Sequence, residues 1–335
     1  MVKKKISLVT GGAGFIGSHV ADYLLKMDHT VVVLDDLSGG SRENVNKKCA
    51  FIKGSITNQK LMERIFKQYK FDYVYHLGAY AAEGLSHFIR RFNYMNNVIG
   101  SINLINLAIL YNIEHFIFTS SIATYGRNQL PMVETMTPIP EDPYGIAKYA
   151  IELDLKAAQE VFGLTYTIFR PHNVYGERQN HGDPYRNVLG IFINNLMKGK
   201  PMTVFGDGKQ TRAFTYIDDV APYIAQAVAV EAAKNQTFNI GADKSYSVLE
   251  LANIIAKAME VAPKVEFLPP RNEVVHAFSD HSRIRSVFGI QETIPLEEGV
   301  RRMVQWARKV GPKSPKKFKS IELIKNIPSS WIKSI

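Results

Sequence analysis

The stretch Ile6-Ser-Leu-Val-Thr-Gly-Gly-Ala-Gly-Phe-Ile-Gly17 decides the fold of this chain. Its apolar start predicts a buried strand, and three glycines at three-residue spacing, Gly11, Gly14 and Gly17, lead into an amphipathic helix. Such glycines allow a tight turn, a close approach of the backbone to a pyrophosphate and close packing of helix on strand. The helix N-terminus offers unpaired N–H groups and a positive dipole end to phosphates. The stretch therefore predicts a strand–turn–helix unit that binds a dinucleotide.

A carboxylate at the end of the next apolar run supports this interpretation. The run from Val31 to Leu34 ends in Asp35, 18 residues after Gly17. A carboxylate at that distance takes the hydroxyls of an adenosine ribose, and it would repel a 2′-phosphate. The two features together favour NAD over NADP, and a dinucleotide site over a plain turn-rich loop.

Length and composition restrict the class of protein. With 335 residues, of which 46% are hydrophobic and 21% charged, the chain has the composition of a soluble enzyme of one large or two modest domains. No apolar run approaches the ~18 residues of a membrane span, and we predict no targeting segment. Cys49 is the only cysteine, so no intrachain disulfide can form and a cytoplasmic location is expected.

The net charge of +10 is concentrated at one end of the chain. Residues 301–335 contain ten lysines or arginines and one acid, Glu322, which leaves about +1 for the other 300 residues. A nearly neutral body gives no reason to expect a nucleic-acid groove. We expect residues 311–335 to form a basic, solvated extension, with a weak anionic partner as the alternative.

Strand-like and helix-like runs alternate through the first half of the chain. Strands are predicted at 51–52, 73–77, 116–119 and 165–169, and helices at 58–69, 87–111 and 143–162. This alternation predicts an α/β fold of the Rossmann type, with a doubly wound parallel sheet that binds ligands at the carboxyl ends of its strands. The residues that fall at those ends are Asp35, Leu77 to Ala79, Thr119 to Ser121 and Arg170 to Asn173.

The texture of the sequence changes after Tyr175, where Gly, Pro, Asn and basic residues become frequent. Helices are predicted there at 188–198, 220–232 and 249–259. We expect residues 1–175, with 214–244 returning to them, to form an NAD-binding domain. Residues 176–213 and 245–310 would form a smaller substrate-binding lobe.

A tyrosine and a lysine stand four residues apart in a predicted helix, so their side chains share one face. These are Tyr144 and Lys148, which follow Ser120-Ser121 by just over twenty residues, and Asp142-Pro143 provides an N-cap and a proline at the first helical position. Lowering the pKa of a phenol by ~3 units takes about 4 kcal/mol. A nearby ammonium and the positive nicotinamide of NAD⁺ are suited to supply it. The alternative is an exposed ion-pairing position on a helix surface.

Several motifs in the same order give the chain a family resemblance. It resembles the extended short-chain dehydrogenase/reductases, and most closely the NAD-dependent nucleotide-sugar epimerases of the UDP-glucose 4-epimerase type. The motifs are Thr10-Gly-Gly-Ala-Gly-Phe-Ile-Gly17, Thr119-Ser-Ser-Ile-Ala-Thr-Tyr-Gly126, Tyr144-Gly-Ile-Ala-Lys148, Arg170-Pro-His-Asn-Val-Tyr-Gly176 and Phe205-Gly-Asp-Gly-Lys-Gln-Thr-Arg212. The likeness runs from about Lys5 to Ala307.

The resemblance implies a role for individual residues. Tyr144 would be the acid/base, Lys148 would lower its pKa and hold the nicotinamide ribose, and Ser121 would bond the sugar 4-oxygen. The positions matching the cofactor site are Gly11, Gly14, Phe15, Ile16, Gly17, Asp35, Asp36, Ser55, Ile56, Leu77, Ala79, Asn96, Thr119, Tyr144 and Lys148. Those matching the UDP-sugar site are Ser121, Tyr144, Asn173, Asn187, Val204, Phe205, Arg212, Arg271 and Phe278. No metal is implied, and a homodimer through the helices at 87–111 and 143–162 is.

The residues after Ser121 distinguish between the subfamilies. Sugar-nucleotide 4,6-dehydratases and decarboxylases carry an acid just after the catalytic serine or threonine, whereas this chain has Ile122 and Ala123. Epimerisation at C4 of UDP-glucose or UDP-galactose is therefore the expected reaction. The alternatives are a dehydratase or decarboxylase with a displaced acid, for example Glu83, and a non-catalytic NAD-sensing regulator.

Some positions depart from the family pattern and leave the sugar open. Ser55 stands where an aspartate commonly contacts the adenine, and Ala81 replaces a lysine often found near the cofactor phosphates. Glu83 and His87 lie in an unusual segment that would border the sugar. Phe278 matches a position whose bulk closes the sugar pocket to N-acetyl groups, which favours a non-acetylated hexose.

Overall fold

A seven-stranded parallel sheet with helices on both faces forms the centre of the molecule. The computed structural model describes residues 4–127, 130–270, 276–290, 292–314, 318, 321–328 and 331. Across the sheet the strands follow the order Gln236–Ile240, Tyr166–Pro171, His115–Thr119, Tyr73–His76, Ile6–Thr10, Thr30–Asp35 and Ala50–Lys53. This order confirms the predicted Rossmann-type fold.

The elements follow the predicted alternation in the first half of the chain. They are β1 (Ile6–Thr10), α1 (Phe15–Lys26), β2 (Thr30–Asp35), β3 (Ala50–Lys53), α2 (Gln59–Tyr69), β4 (Tyr73–His76), α3 (Glu83–Ser86), α4 (Arg90–Tyr94), α5 (Gly100–Leu110), β5 (His115–Thr119), α6 (Pro143–Phe162) and β6 (Tyr166–Pro171). The second half contains β7 (Val174–Tyr175), α7 (Val188–Met197), β8 (Met202–Phe205), β9 (Thr211–Ala213), β10 (Thr215–Tyr216), α8 (Ala221–Gln226), β11 (Gln236–Ile240), β12 (Ser245–Ser247), α9 (Val248–Ala258), β13 (Val265–Leu268), β14 (His276–Ala277), α10 (Ser282–Phe288) and α11 (Leu296–Val310). None of the helices that the structure describes is long and apolar enough to cross a bilayer.

The first turn leaves no room for side chains. Gly11 has a φ of +69°, and a Cβ atom on it would stand 2.7 Å from the Cα atom of Gly78, which follows β4. A Cβ atom on Gly17, in the first turn of α1, would collide with the carbonyl oxygen of Gly11. Glycine at these positions therefore lets the N-terminus of α1 approach the carboxyl ends of β1 and β4.

Two differences from the predicted helices have a local cause. The single helix expected at 87–111 is interrupted, because Met95–Ile99 form a π-helical segment between α4 and α5. The helix expected at 220–232 ends at Gln226 and continues as 3₁₀ turns at Ala227–Ala229 and Glu231–Ala233. A pattern of apolar residues does not distinguish these tighter or wider turns from an α-helix.

The second half of the chain builds three small sheets and also returns to the large one. Strand β11 pairs with β6 at the edge of the seven-stranded sheet. Strands β8 and β13 form one small sheet, β9 pairs with β12 and β14 in another, and β7 pairs with β10. This arrangement supports the division into a dinucleotide-binding domain and a smaller lobe, which we retain as a proposal.

We call the described residues of 311–331 the C-terminal strap. Most of them are exposed, as expected of a solvated extension, but that expectation is wrong for Phe318, Ile321, Ile327 and Trp331. Trp331 is only 5% exposed. Phe318, Ile321 and Ile327 pack on the same small core, around Leu85. The sequence did not predict this packing, because lysines lie between the apolar residues and make the region as a whole strongly basic.

Helix α6 begins as predicted. Asp142 is its N-cap and accepts hydrogen bonds from the backbone N–H groups of Tyr144 and Gly145, both at 2.9 Å, and Pro143 is the first helical residue. One turn after Lys148, the buried carboxylate of Glu152 pairs with the guanidinium of Arg170 on β6. It also accepts a hydrogen bond from the hydroxyl of Ser120. The pair therefore connects α6 with the ends of β5 and β6.

We predict that Glu152→Gln lowers the free energy of unfolding by about 3 kcal/mol or more, because Arg170 would keep a buried charge without a counter-charge. Chemical denaturation monitored by circular dichroism measures the change. Glu160→Gln, on the exposed side of the same helix, is the matched control and should change stability by less than ~0.5 kcal/mol. Equal stabilities of the two variants would contradict the role assigned to the pair.

Candidate functional site

A large cleft of about 2060 Å³ opens at the carboxyl ends of the parallel strands. The glycine turn after β1 lines one part of it, and Ser121, Tyr144 and Lys148 line another. Phe205 and Arg212, from the small sheets of the second half, close the far side. The cleft is therefore long enough to hold two ligands end to end, one on the glycine turn and one under the small sheets.

The end of the cleft beside the glycine turn fits a dinucleotide. Asp35 lies at the end of β2, is 9% exposed and accepts hydrogen bonds from the N–H groups of Ala13 (3.0 Å) and Leu37 (2.8 Å). Burial raises the pKa of the Asp35 carboxyl, and those N–H donors oppose the rise. The carboxylate is thus fixed at the cleft wall, where a ribose hydroxyl can donate to it. The bare backbone of Gly11 and Gly14 beside it suits a pyrophosphate.

The side chains of Ser121, Tyr144 and Lys148 meet at the middle of the cleft. Ser121 follows β5, and its hydroxyl lies close enough to the phenol of Tyr144 to lower the pKa of that phenol. Lys148 lies one turn after Tyr144 on α6, with its Nζ atom 5.8 Å from the centre of the tyrosine ring. The same Nζ donates to the carbonyl oxygen of Thr119 at 2.7 Å. The arrangement joins a hydroxyl, a phenol and an amine, as proton transfer requires.

Burial dominates the ionisation of this group of residues. It raises the pKa of the Tyr144 phenol well above its usual value; the charge of Glu83 raises it further, while the nearby hydroxyl of Ser121 and the charge of Arg186 lower it. Burial also lowers the pKa of the Lys148 ammonium to about 7, against the attraction of Glu152. The protein alone therefore does not hold a phenolate here, and an additional positive charge in the cleft would favour one.

Most of the predicted site residues line this one cleft. All the predicted cofactor positions do so, namely Gly11, Gly14, Phe15, Ile16, Gly17, Asp35, Asp36, Ser55, Ile56, Leu77, Ala79, Asn96, Thr119, Tyr144 and Lys148. Of the predicted UDP-sugar positions, Ser121, Tyr144, Asn173, Asn187, Phe205 and Arg212 line it too. Their individual roles stay predictions.

Three predicted UDP-sugar positions are not placed in the cleft. Val204 is fully buried in the main core, so its side chain faces away from the cleft. Phe278 is half-buried beside the cleft-lining Ala277 but is not part of the lining. Arg271 lies outside the described residues.

The cleft contains further residues that the sequence did not single out. Tyr185 and Arg186 line it, and so do Lys325, Asn326 and Trp331 of the C-terminal strap. Arg186 donates to the carboxylate of Asp183 and lies with its guanidinium carbon 4.9 Å from the centre of the Tyr80 ring. The sequence signal for the strap was weak, consisting only of aromatic and branched residues within a basic tail.

Comparison with known proteins identifies the family. A model of the NAD dependent epimerase/dehydratase family matches residues 7–241. The chain belongs to this family. Its cofactor is therefore NAD, as the glycine turn and Asp35 predicted.

Individual members of the family are similar to this chain over most of its length. The UDP-glucose 4-epimerase of Mycolicibacterium smegmatis is 35% identical over 311 residues, which cover 90% of this chain and 98% of that protein. The UDP-glucose 4-epimerase of Thermotoga maritima, solved with UDP-glucose, is 37% identical with a TM-score of 0.86, covering 91% of this chain and 99% of that one. The Thermus thermophilus UDP-glucose 4-epimerase, solved with NAD, is 31% identical with a TM-score of 0.84, covering 90% and 99%.

The burial of the Lys148 ammonium should make the stability of the protein depend on pH. Burial lowers the pKa of Lys148 from its usual 10.5 to about 7 in the folded protein. Between these two values the unfolded chain therefore binds more protons than the folded one. The stability of the nucleotide-free protein should therefore rise with pH across that window, relative to Lys148→Met, by up to about 5 kcal/mol. Below about pH 7 both states carry the proton and the difference should be constant.

Urea unfolding of both proteins at pH 6, 8 and 9.5 measures this difference. Lys156→Met, at an exposed position of the same helix, controls for general effects of losing a lysine and should follow the wild type at every pH. If the wild type and Lys148→Met gave parallel curves, the ammonium would not be destabilised by burial.

Proposed function

We propose that this chain catalyses the NAD-dependent epimerisation of a UDP-sugar at C4, interconverting UDP-glucose and UDP-galactose. The observation that carries the proposal is the meeting of Ser121, Tyr144 and Lys148 between the dinucleotide end of the cleft and its far side. Family membership and the UDP-glucose 4-epimerase relatives support it.

Residues of the chain itself carry out the proton transfer. The phenol oxygen of Tyr144, as phenolate, takes the proton of the sugar 4-hydroxyl and returns it at the end of the cycle. Ser121 holds the sugar 4-oxygen and the phenol in one hydrogen-bonded group, so the proton moves over a short distance. When bound, NAD supplies the acceptor and later the donor of the hydride at C4, together with a positive charge at its nicotinamide ring. Lys148 is placed to hold the nicotinamide ribose and, when protonated, to stabilise the phenolate.

The far side and the middle of the cleft would hold different parts of a UDP-sugar. Asn173, Asn187, Phe205 and Arg212 stand on the far side, where an arginine and two amides suit the pyrophosphate and uridine. A firm grip on the nucleotide leaves the sugar as the part that can rotate, so that opposite faces of C4 meet the same tyrosine.

One observation favours the second candidate, a dehydratase or decarboxylase. Glu83 lines the cleft, and its charge acts on the phenol of Tyr144, so a carboxylate does lie near the reacting centre. Such enzymes need an acid or base beside the 4-keto sugar. Ile122 and Ala123, which follow Ser121, provide none, and Glu83 comes from α3 instead.

The products formed from UDP-glucose separate the two candidates. We expect UDP-galactose, detected by chromatography, with no alkali-absorbing 4-keto-6-deoxy product. Tyr144→Phe should lower kcat by at least ~10², because it removes the group that exchanges the proton. Tyr149→Phe, on the same helix, should turn over at the wild-type rate. Accumulation of the 4-keto-6-deoxy sugar would establish the dehydratase instead, and a fully active Tyr144→Phe would exclude the proposed acid/base.

We also propose that the enzyme is a cytoplasmic homodimer. The π-helical segment Met95–Ile99 packs against α6, and both expose apolar side chains. Met95 and Ile99 are 43% and 42% exposed, and Ile146 and Leu153 on α6 are 42% and 48% exposed. Residues spaced by four or seven positions share a helix face, so these side chains form two adjoining apolar stripes. Such a surface is typical of an interface between copies of one chain.

We predict that the double variant Ile99→Glu with Leu153→Glu is a monomer, because four carboxylates would be buried at the symmetric interface. Light scattering coupled to size-exclusion chromatography measures the mass in solution. Phe267→Glu, at an exposed position on β13 (56% exposed), is the control and should stay dimeric. A wild-type protein of monomeric mass would disprove the dimer.

A further inference from the structure

The C-terminal strap is attached on both sides of the cleft. On one side, Lys313 exchanges two backbone hydrogen bonds with the amide of Asn194 on α7, at 2.9 and 3.0 Å. On the other side, the carboxylate of Glu322 accepts hydrogen bonds from the backbone N–H groups of Arg91 and Phe92, both at 2.8 Å, at the start of α4. A carboxylate at a helix N-terminus is a favourable contact. The strap thus connects the smaller lobe with the dinucleotide-binding domain.

Trp331 is the most buried residue of the strap that the structure describes. Its ring stands edge-on to that of Tyr185, with centres 5.3 Å apart, and it also contacts Phe88 at 6.1 Å. The indole packs over Gly84, since a Cβ atom on that glycine would stand only 3.3 Å from the ring. Trp331, Gly84 and Tyr185 all line the cleft. The indole is therefore a fixed part of the cleft wall.

This wall stands at the reacting end of the substrate. Gly84 belongs to α3 together with Ser86, whose hydroxyl oxygen accepts a hydrogen bond from the backbone N–H of Tyr144 at 3.3 Å. Glu83 and Arg186, which are the chain neighbours of Gly84 and Tyr185, also line the cleft. The ring of Trp331 thus lies on residues directly adjacent to those that surround the tyrosine. The sugar, rather than the uridine, is the part of the substrate that would face it.

We propose that Trp331 is a specificity-determining residue, which closes the outer wall of the sugar subsite and restricts it to hexoses without an N-acetyl group. The inference rests on the proposed function. The indole packs against two other aromatic rings, so it can move out of the wall only by losing those contacts. A substrate with a bulkier sugar would have to displace it, whereas a plain hexose would not.

The experiment compares UDP-glucose with UDP-N-acetylglucosamine. In Trp331→Ala, kcat/KM for the N-acetyl substrate relative to UDP-glucose should rise at least ~10-fold, through a lower KM for the N-acetyl sugar. The affinity for UDP alone, measured by calorimetry, should not change, because the nucleotide does not face the indole. Ile324→Ala, in the same strap but 74% exposed, is the matched control and should keep the wild-type ratio.

A second variant keeps the proposal testable if Trp331→Ala does not fold. Glu322→Gln weakens the attachment of the strap to α4 without removing apolar packing, and it should shift the ratio in the same direction by a smaller factor. An unchanged ratio in every folded variant, or a wild type that already prefers the N-acetyl sugar, would overturn the proposal. If the wild type turned over neither sugar, the proposed function would fail, and calorimetric affinities for the two nucleotide sugars would then decide the role of Trp331.

Discussion

The buried pair of Glu152 and Arg170 is the interaction on which the geometry of the site depends. It joins helix α6 to strand β6, and through the hydroxyl of Ser120 it also fixes the end of β5. Tyr144 and Lys148 extend from the same helix, two turns and one turn before the carboxylate, and Ser121 follows the fixed serine. Because a buried charge keeps its partner at a fixed distance, the helix cannot slide along the sheet. The phenol and the serine hydroxyl therefore stay in register with each other.

The electrostatics of the cleft suit a site that is completed by its ligand. Burial disfavours both the Tyr144 phenolate and the Lys148 ammonium, so the nucleotide-free protein keeps both in their neutral forms more than water does. Because water is excluded at the same place, a charge that enters the cleft interacts more strongly with the groups around it. A cationic ring near the phenol would thus have a larger effect on its pKa than it would at the surface. In the proposed function, proton transfer would therefore depend on the bound cofactor as well as on the protein.

The parts of the structure that depend on local chemistry could be predicted from the sequence. The spacing of Gly11, Gly14 and Gly17 specifies a turn that no other residue type fits, and Asp142-Pro143 specifies a helix start. The order of strand ends then brings Asp35 and Ser121 to one edge, because parallel strands finish on the same side of a sheet. Helix α6 begins at that edge with Tyr144 in its first turn.

Features that depend on tertiary packing were not predictable in this way. The π-helical segment at Met95–Ile99 has the same apolar pattern as the α-helix on either side of it. Val204 directly precedes the matching motif that begins at Phe205, yet its side chain packs in the core, since only alternate residues of a strand face the cleft. The strap was missed because its few apolar residues have neither helical nor strand spacing. Its position is set by a hydrophobic surface formed elsewhere in the chain.

The strap also has a consequence for the order of assembly during synthesis. Every residue that it touches, from Gly84 to Asn194, leaves the ribosome earlier, whereas Trp331 emerges after the rest of the cleft has been translated. Domains generally fold as they are made, from the amino end onward. The glycine turn and the strands of the large sheet would therefore be made before the part of the cleft wall that Trp331 forms.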